Sequence, residues 1–506
     1  MNDATAAEYS TETTDKTQVR ISSGIAGLDR ILHGGFPAGH VYLVEGDPGS
    51  GKTTLALQFL IEGVRNGEPV LYVTLSETRQ ELTAVAESHG WTLDGISVFE
   101  LTSENALKPD EQYTVFHPSE VELNDTSRAL FKQFDLVKPS RVVFDSLSEL
   151  RLLAREALRF RRQILALKQY FVGRGTTVLL LDDRTGQDQH EQLQSISHGV
   201  LALEGVRPEF GAERRRLTIV KLRGSKFRGG VHDYVITTGG LRVFPRLVAA
   251  ELNGPAIPLE TVSTGVTGLD DLLGGGIDRG TSTLIMGPAG SGKSSVGVKI
   301  AAAAAARGER SVIYTFDESA QTMIARSRSL GVQLDELVSK GLVRLEPIDP
   351  AELSPGEFVQ RICDAVDSGC KVVMIDSLNG FMQAMPGEKF VLIQLHELLT
   401  YLNHKGVITV LVLAQFGLVG GRIEAPIEIS YLADSLLLLR YFEVSGVVRR
   451  AISAVKRRVG QHEQTIREMH LRPNSVAVGE PITQFTGILG GTLSFISGSA
   501  DSSDKR

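Results

Sequence analysis

The sequence predicts an α/β protein made of two tandem domains, each with a mainly parallel sheet flanked by helices. Three observations support this prediction: the length of the chain, an internal repeat, and an alternation of short apolar segments with helical ones. At 506 residues, the chain is longer than one hydrophobic core normally supports, so length alone indicates several domains. Its 42% of hydrophobic and 22% of charged residues are typical of globular proteins.

The chain contains two copies of one sequence pattern. SGIAGLDRILHGG at 23–35 returns as TGVTGLDDLLGGG at 264–276, and GDPGSGKT at 46–53 returns as GPAGSGKS at 287–294. The same number of residues separates Lys52 from Lys293 as separates Glu77 from Glu318. Self-similarity at a constant spacing predicts a duplicated domain of about 240 residues.

The repeat predicts the limits of the domains. We place the first domain at 18–250 and the second at 261–496. The segment 251–260 between them contains glycine and prolines, which suit a linker. The polar ends, 1–17 and 497–506, are predicted to be disordered.

Within each copy, apolar segments rich in β-branched residues alternate with helical segments. The predicted strands of the first copy are His40–Glu45, Val70–Leu75, Arg141–Phe144 and Thr177–Leu181. A helix is predicted over Thr54–Arg65, and the alanine run Ala301–Ala306 falls in the corresponding helix of the second copy. This alternation predicts a parallel sheet covered by helices.

Both copies contain the phosphate-binding motif G-x-x-x-x-G-K-[ST], and each follows an apolar strand and opens a helix, as the motif requires. Its glycines let backbone N–H groups turn toward phosphate oxygens, and the helix N-terminus adds partial positive charge. The motif therefore predicts two P-loops that bind ATP. The predicted nucleotide-binding residues are Gly46, Gly49, Ser50, Gly51, Lys52, Thr53 and Thr54 in the first copy and Gly287, Gly290, Ser291, Gly292, Lys293, Ser294 and Ser295 in the second.

A second chemical feature is a carboxylate at the end of an apolar strand, Asp145 in RVVFDS and Asp376 in KVVMIDS. A carboxylate there can hold the shell of a Mg²⁺ ion bound with ATP, directly or through water. The motif hydroxyls of Thr53 and Ser294 are the other expected metal ligands, and we add Glu318 to this set.

Hydrolysis also requires a group that accepts a proton from the attacking water. Glu77 in LSET and the pair Asp317–Glu318 in FDES follow the next predicted strand. Carboxylates beside a metal can abstract a proton from water or from a hydroxyl. We predict that these three residues are catalytic, with solvated acids at a strand end as the alternative.

Each copy also has basic residues on a late strand, Lys221 and Arg223 in RRRLTIVKLRG and Lys456 and Arg458 in RRAISAVKRRVG. Residues two apart on a strand point the same way. Such cations can stabilise phosphate charge, including from a neighbouring subunit in the manner of an arginine finger. A solvated basic strand and a nucleic-acid contact are the alternatives.

The net charge and the apolar stretches indicate which partners and which compartment to expect. The net charge is −7, which argues against a protein whose main task is to grip nucleic acid. The first twenty residues lack the apolar core of a signal peptide, and stretches such as Val407–Ala414 are too short to span a membrane. We therefore expect a cytoplasmic protein without a membrane partner, and its two cysteines, Cys363 and Cys370, as reduced thiols.

Together these motifs resemble those of the KaiC family of RecA-superfamily ATPases. The resemblance covers residues 18–490 and rests on the doubled G-x-x-GLD…GG segment, the two P-loops, SET and DES, FDS and IDS, and KLRG. SYLADSLLLLRYFE and TIREM in the second copy add to it. The resemblance implies two RecA-like domains, a homo-hexameric double ring with ATP between subunits, and a slow ATPase in the first domain.

In clock members of that family, the second domain phosphorylates itself on an adjacent serine and threonine, with ATP from the neighbouring interface. The matching residues here are Ser430 and Tyr431. The resemblance therefore implies autophosphorylation at Ser430, with tyrosine in place of the threonine. Ser195-Ile196 occupies the corresponding place in the first copy, which agrees with a domain that does not phosphorylate itself.

The sequence departs from the family pattern at other positions. Ser76 precedes Glu77 where the family's first domain usually has paired acids, and Val459 replaces the glycine that ends KLRG. The tail LRPNSVAVGEPITQFTGILGGTLSF looks unlike the segment by which clock members engage their KaiA regulator.

The predicted function is therefore that of an ATPase with serine autokinase activity, working as a switch for a signalling partner. Two alternatives belong to other classes. One is a RecA-like ATPase that depends on nucleic acid, which the net charge disfavours. The other is a scaffold ring in which ATP only joins the subunits, which the retained Glu77 and Glu318 disfavour.

Overall fold

The computed structural model describes residues 19–101, 118–154, 156–184, 193–208, 211–252, 258, 260–383, 391–415, 430–488 and 494–495. These residues form two compact units, one containing 19–208 and 213–246, the other 211–212 and the residues from 247 onward. The division into two units does not test the domain limits 18–250 and 261–496, which stay predictions. The predicted disordered ends, 1–17 and 497–506, and most of the predicted linker lie outside the described residues.

The first unit contains one nine-stranded sheet and a separate two-stranded sheet, which its first two strands form. The strands of the whole unit are numbered together. Its strands are β1 (Arg20–Ile21), β2 (Phe36–Pro37), β3 (Val41–Gly46), β4 (Val70–Thr74), β5 (Ile96–Glu100), β6 (Arg141–Asp145), β7 (Thr177–Asp183), β8 (Gly199–Val206), β9 (Arg214–Leu222), β10 (Val231–Thr237) and β11 (Gly240–Phe244). Its helices are α1 (Ala26–Ile31), α2 (Lys52–Arg65), α3 (Arg79–Ser88), α4 (Pro118–Val137), α5 (Leu147–Ala154) and α6 (Ala157–Val172).

The sheet order in this unit is β11-β10-β9-β8-β3-β7-β6-β4-β5. The strands from β8 to β5 are parallel, whereas β9, β10 and β11 add antiparallel pairs at one side. The strand β3, which leads into the first P-loop, therefore lies between two parallel neighbours, and both of its faces are buried. This arrangement explains why the central segments read as continuous apolar runs.

The second unit repeats this plan. Its strands are β12 (Thr261–Val262), β13 (Ile277–Asp278), β14 (Ser282–Gly287), β15 (Arg310–Thr315), β16 (Val343–Pro347), β17 (Cys370–Asp376), β18 (Ile408–Ala414), β19 (Ser435–Val444), β20 (Val447–Arg457), β21 (Ile466–Arg472), β22 (Ser475–Pro481), β23 (Phe485–Thr486) and β24 (Ser494–Phe495). Its helices are a 3₁₀ turn (Ala249–Glu251), α7 (Leu269–Leu272), α8 (Lys293–Ala306), α9 (Ala320–Ser329), α10 (Leu334–Ser339), α11 (Pro355–Asp367), α12 (Leu378–Gln383) and α13 (Val391–His404).

The order of its large sheet, β16-β15-β17-β18-β14-β19-β20-β21-β22, is the order of the first sheet read from the other side. The strand β14 again lies between two parallel neighbours. The predicted fold class, two α/β domains with mainly parallel sheets flanked by helices, is therefore confirmed. The predicted strands of the first copy are present within two residues of their expected bounds, and the helix expected over Thr54–Arg65 begins at Lys52.

Each large sheet has a hydrophobic cluster on both faces, as a two-sided α/β layer requires. In the first unit, Leu57 and Phe59 of α2 pack on one face, and Phe160 and Ile164 of α6 pack on the other. The second unit has the equivalent clusters around α8 and around α11 with α13. None of the helices in the described part of the chain is long and apolar enough to cross a membrane.

The repeated GLD segment is structural. The Asp29 carboxylate accepts hydrogen bonds from the hydroxyls of Ser22 and Ser23, each at 2.7 Å, and from the backbone N–H of Ser23 at 2.8 Å. Asp270 does the same for Ser263 and Thr264 in the second unit. A Cβ atom at Gly27 would lie 1.8 Å from the carbonyl oxygen of Val243, so only glycine fits there.

Candidate functional site

Both P-loops turn into their helices through a glycine with positive φ. Gly51 has φ 92° and Gly292 has φ 103°, and each is the residue before the first helical lysine. A Cβ atom at Gly51 would lie 2.7 Å from Cδ1 of Ile236, so glycine is required by conformation and by space. Gly49, also at positive φ, has nothing within 4 Å of its Cβ position, which leaves room for a phosphate at the loop.

The P-loop lysines are buried but differ in their partners. The Lys52 ammonium donates to the carbonyls of Gly46 at 2.8 Å and Asp47 at 3.1 Å, and forms an ion pair of 2.8 Å with Asp183. Lys293 donates to the carbonyl of Pro288 at 2.8 Å. Burial lowers the pKa of the Lys293 ammonium, and among the described residues it forms no ion pair.

In the first unit, a hydroxyl and a carboxylate meet where a magnesium ion is expected. The Thr53 hydroxyl donates to the Asp145 carboxylate at 2.9 Å. The Tyr72 hydroxyl donates to the same carboxylate oxygen at 2.5 Å. Asp145 is only 6% exposed, and this burial raises the pKa of its carboxyl.

The second unit forms the same pair with different support. The Ser294 hydroxyl bonds to Asp376, whose pKa is raised by burial. Ile313 occupies the register position of Tyr72, so this hydroxyl is missing. Instead, Asp317 accepts a hydrogen bond of 2.5 Å from Ser377, the residue that follows Asp376 in the chain.

These donors suit magnesium bound together with ATP. The described residues contain no group of three or more His, Cys, Asp or Glu side chains that would hold a metal alone. Mg²⁺ does not need such a group, because one or two protein oxygens together with the phosphates of the substrate are enough to bind it. Thr53 with Asp145, and Ser294 with Asp376, supply such oxygens.

The predicted bases lie three residues beyond their strands, and their surroundings differ. One Glu77 carboxylate oxygen is buried and has no hydrogen-bond partner among the described residues. Burial, followed by the charges of Asp145 and Glu81, raises the pKa of the Glu77 carboxyl. Glu318 forms an ion pair of 2.6 Å with Arg326; burial raises the pKa of its carboxyl, and the guanidinium opposes that shift.

The predicted basic pairs are held against backbone carbonyls of their own unit. Lys221 lies in β9 and bonds to the carbonyl of Gln194, and Arg223, one residue beyond the strand, donates to the carbonyl of Ser195 at 2.5 Å.

The second unit repeats these contacts at the predicted phosphorylation residues. Lys456 donates to the carbonyls of Ser430 at 3.0 Å and Ala433 at 2.7 Å. Arg458 donates to the carbonyl of Tyr431 at 2.5 Å. Ser430 and Tyr431 are exposed.

In each unit, the basic pair lies at one end of the strands and the P-loop lies at the other end. Lys221 faces Val200 near the start of β8, and His198 bonds to the carbonyl of Val41, the first residue of β3. The P-loop begins at the other end of β3, five residues along at Gly46, which corresponds to about 17 Å. The pair therefore lies away from the P-loop of its own unit.

Three residues of these sites were not predicted from the sequence: Tyr72, Asp183 and Arg326. Each reaches its partner from a neighbouring strand or helix rather than from within a motif. The acid at the end of β7 could have been noticed, because Asp183 follows an apolar run as Asp145 does. No pattern in the sequence marks Tyr72 or Arg326.

Two parallel-sheet domains, each with a P-loop whose hydroxyl bonds to a strand-end carboxylate, define a tandem P-loop ATPase. A family model described as the KaiC ATPase matches residues 21–248 and again 262–482. The chain therefore belongs to the KaiC family of ATPases.

Curated relatives align over nearly the whole chain at low identity. The circadian clock oscillator protein KaiC of Thermosynechococcus vestitus is 28% identical, over 96% of this chain and 94% of its own length. That of Acaryochloris marina is 26% identical, over 98% and 96%. The circadian clock protein KaiC3 of a Synechocystis strain is 25% identical, over 94% of each chain.

Proposed function

We propose that this KaiC-family ATPase is a serine autokinase that assembles as a ring, with ATP bound between neighbouring chains. The observation that carries the proposal is the position of Lys456 and Arg458, which hold the backbone of Ser430 and Tyr431 at the sheet edge opposite their own P-loop. Ser430 and the basic pair would meet the ATP of a neighbouring second domain.

The first domain is proposed to hydrolyse ATP. A water molecule attacks the γ-phosphorus, the bond from phosphorus to the β,γ-bridging oxygen breaks, and ADP leaves. Glu77 takes the proton of the water, and its unpartnered oxygen is available for that task. Bound Mg²⁺ would neutralise charge on the phosphates, and Lys221 and Arg223 of the neighbour would stabilise the charge of the γ-phosphoryl group.

The second domain is proposed to pass the same group to serine. The Ser430 oxygen forms a bond to the γ-phosphorus as the bond to the bridging oxygen breaks, leaving ADP. The Ser430 proton passes to Glu318 of the chain that binds the ATP. Arg326 would position this carboxylate through its ion pair, and Asp317, which precedes Glu318 in the chain, accepts the hydroxyl of Ser377.

Phosphate on Ser430 would act as the switch. A phosphoserine carries about two negative charges and strong acceptor oxygens. It would lie beside Lys456 and Arg458, which donate to backbone carbonyls. The phosphate oxygens could take the place of these carbonyls as acceptors. A cytoplasmic signalling partner that reads this change, and a six-membered ring, are the remaining parts of the proposal.

The test is incubation of the purified protein with Mg-ATP, followed by mass spectrometry of the peptide that contains Ser430, with phosphate release counted in parallel. We expect phosphate on Ser430 in the wild type and in a Glu77→Gln control, and none in Glu318→Gln. An unmodified peptide alongside steady phosphate release would leave an ATPase and refute the kinase. Phosphate on Tyr431 alone would refute the assignment to serine.

A further inference from the structure

The Lys52 ammonium is fully engaged within its own domain. An ammonium group has three N–H donors, and Lys52 has three acceptors: the carbonyls of Gly46 and Asp47 and the carboxylate of Asp183. Of these, Asp183 alone is charged. A phosphate oxygen that binds Lys52 must therefore take the place of one of them or crowd against it.

Asp183 is placed for this contact by the sheet. It is the last residue of β7 and pairs in register with Gly46, the first residue of the P-loop motif. Among the described residues, its second oxygen accepts a longer hydrogen bond, of 3.3 Å, from Ser148. Lys52 is 8% exposed and Asp183 29%, so water screens this ion pair less than it screens a surface pair.

In the described part of the second domain, this carboxylate has no counterpart. Ala414 pairs in register with Gly287, as Asp183 does with Gly46. Lys293 bonds to the carbonyl of Pro288 and, within the described part of the chain, has no acid within ion-pair distance. The two P-loops share a backbone but differ in whether their lysine is already neutralised.

We propose that Asp183 sets the polyphosphate affinity of the first site by competing with the β- and γ-phosphates for Lys52. Binding of ATP separates the ion pair or leaves a carboxylate beside phosphate oxygens of the same charge sign. Asp183 is thus an affinity-determining residue in the first domain, and the second domain binds polyphosphates without this penalty. The inference rests on ATP binding at both P-loops.

The test measures binding rather than turnover, on the full chain. Lys293→Ala silences the second P-loop, so that calorimetric titration with Mg²⁺ and a non-hydrolysable ATP analogue reports the first site. In this background, Asp183→Asn and Asp183→Ala should each tighten binding about tenfold, the change expected for loss of one partly buried charge repulsion. Glu204→Gln, which removes an acid that pairs with Arg184 rather than with Lys52, should leave the affinity unchanged.

Two further measurements separate competition from a general structural change. AMP lacks the phosphates that the lysine binds, so its affinity should not change in Asp183→Asn. In a Lys52→Ala background, which reports the second site, Ala414→Asp should weaken binding of the ATP analogue about tenfold. An equal gain for AMP would overturn the inference.

The inference would also be overturned if Asp183→Asn bound the analogue as the parent does, or more weakly, while Ala414→Asp had no effect. That outcome would leave ATP binding itself intact. If the Lys293→Ala parent bound no nucleotide, the first ATP site would be refuted together with the inference. The two failures are therefore distinguishable.

Discussion

The two nucleotide sites have the same backbone plan but different electrostatic surroundings. In the first, the P-loop lysine forms an ion pair with Asp183, and the Asp145 carboxylate accepts a hydrogen bond from the Tyr72 hydroxyl. In the second, Ala414 and Ile313 stand at the positions of Asp183 and Tyr72, and neither can make such a contact. Duplication preserved the phosphate loop while the residues around it diverged.

The glutamates show the same divergence. Glu77 has a buried oxygen without a partner among the described residues, whereas Glu318 is fixed by Arg326. A carboxylate without a partner suits the capture of a proton from mobile water. A carboxylate held by a guanidinium suits a hydroxyl that arrives in one defined position. This difference agrees with the proposed hydrolysis in the first domain and the proposed phosphoryl transfer in the second.

The largest expected effect comes from the basic pairs. Replacing both Lys221 and Arg223 with alanine should slow phosphate release by the first domain about a thousandfold, the lower range for loss of an arginine finger. The matched change at Lys456 and Arg458 should abolish phosphate on Ser430 and leave most phosphate release intact. An assay of phosphate release measures the first effect, and mass spectrometry of the peptide with Ser430 measures the second. Equal losses in both assays from either variant would break the comparison between the domains.

Removal of the first base should have the next largest effect. Glu77→Gln keeps the shape of the side chain but cannot accept a proton, and a general base contributes about a hundredfold or more to rate. We expect phosphate release to fall by about that factor. The control is Glu87→Gln, which removes an exposed acid of α3. A normal rate in Glu77→Gln would contradict the role assigned to Glu77.

Acid should destabilise the first domain through His232. This buried imidazole lies 3.0 Å from the carbonyl of Arg228 and accepts the N–H of Arg246 at 2.9 Å, and burial lowers its pKa to about 4. Because the folded pKa is below the unfolded value, the stabilisation is complete above pH 6.5 and is lost as pH falls from 6.5 to 4. It amounts to about 3 kcal/mol.

Urea unfolding measures this loss, because Trp91 is the only tryptophan and lies in the first unit. The urea midpoint should fall between pH 7.5 and pH 5 in the wild type, and fall less in His232→Asn. At the corresponding register position, the second domain has Arg467, paired with Glu463, so it lacks this contribution. An identical pH dependence in the variant would show that His232 stays protonatable in the fold.

The smallest expected effect concerns Tyr72. Tyr72→Phe removes a hydrogen bond to a buried carboxylate and should cost the first domain about 2 kcal/mol, since bonds to charged groups exceed neutral ones. Tyr42→Phe is the control, because its hydroxyl donates to a neutral carbonyl, that of Pro37, and should cost about 1 kcal/mol. The fluorescence of Trp91 in urea compares the two. A larger loss from Tyr42→Phe would contradict this ranking.

The sequence predicted the fold because its signals are local and repeated. Apolar strands, helices and P-loops recur at a nearly constant spacing, and the motif identifies Lys52 and Lys293 without any knowledge of the sheet. The order of the strands is different in kind. Periodicity does not reveal that β3 lies between β7 and β8, and that order decides which side chains meet.

The missed residues illustrate this limit. Asp183 reaches Lys52 only because β7 lies beside β3, and Tyr72 reaches Asp145 only because β4 lies beside β6. The position of Lys221 and Arg223 at the far edge of the sheet is also a property of the strand order. From the residues alone, a role in a neighbouring subunit was one interpretation beside a solvated basic strand and a nucleic-acid contact, and the position of the pair supports the proposal of such a role.

In the proposed mechanism, Ser430 receives phosphate from the ATP of a neighbouring chain. The most direct test mixes two variants, isotopically labelled Lys293→Ala, which retains Ser430 but cannot use its second P-loop, and unlabelled Ser430→Ala, which has the reverse defect. Each alone should carry no phosphate at position 430. After mixing with Mg-ATP, we predict phosphate on Ser430 of the labelled chain. A mixture without phosphate, under conditions in which the wild type is phosphorylated, would contradict transfer between chains.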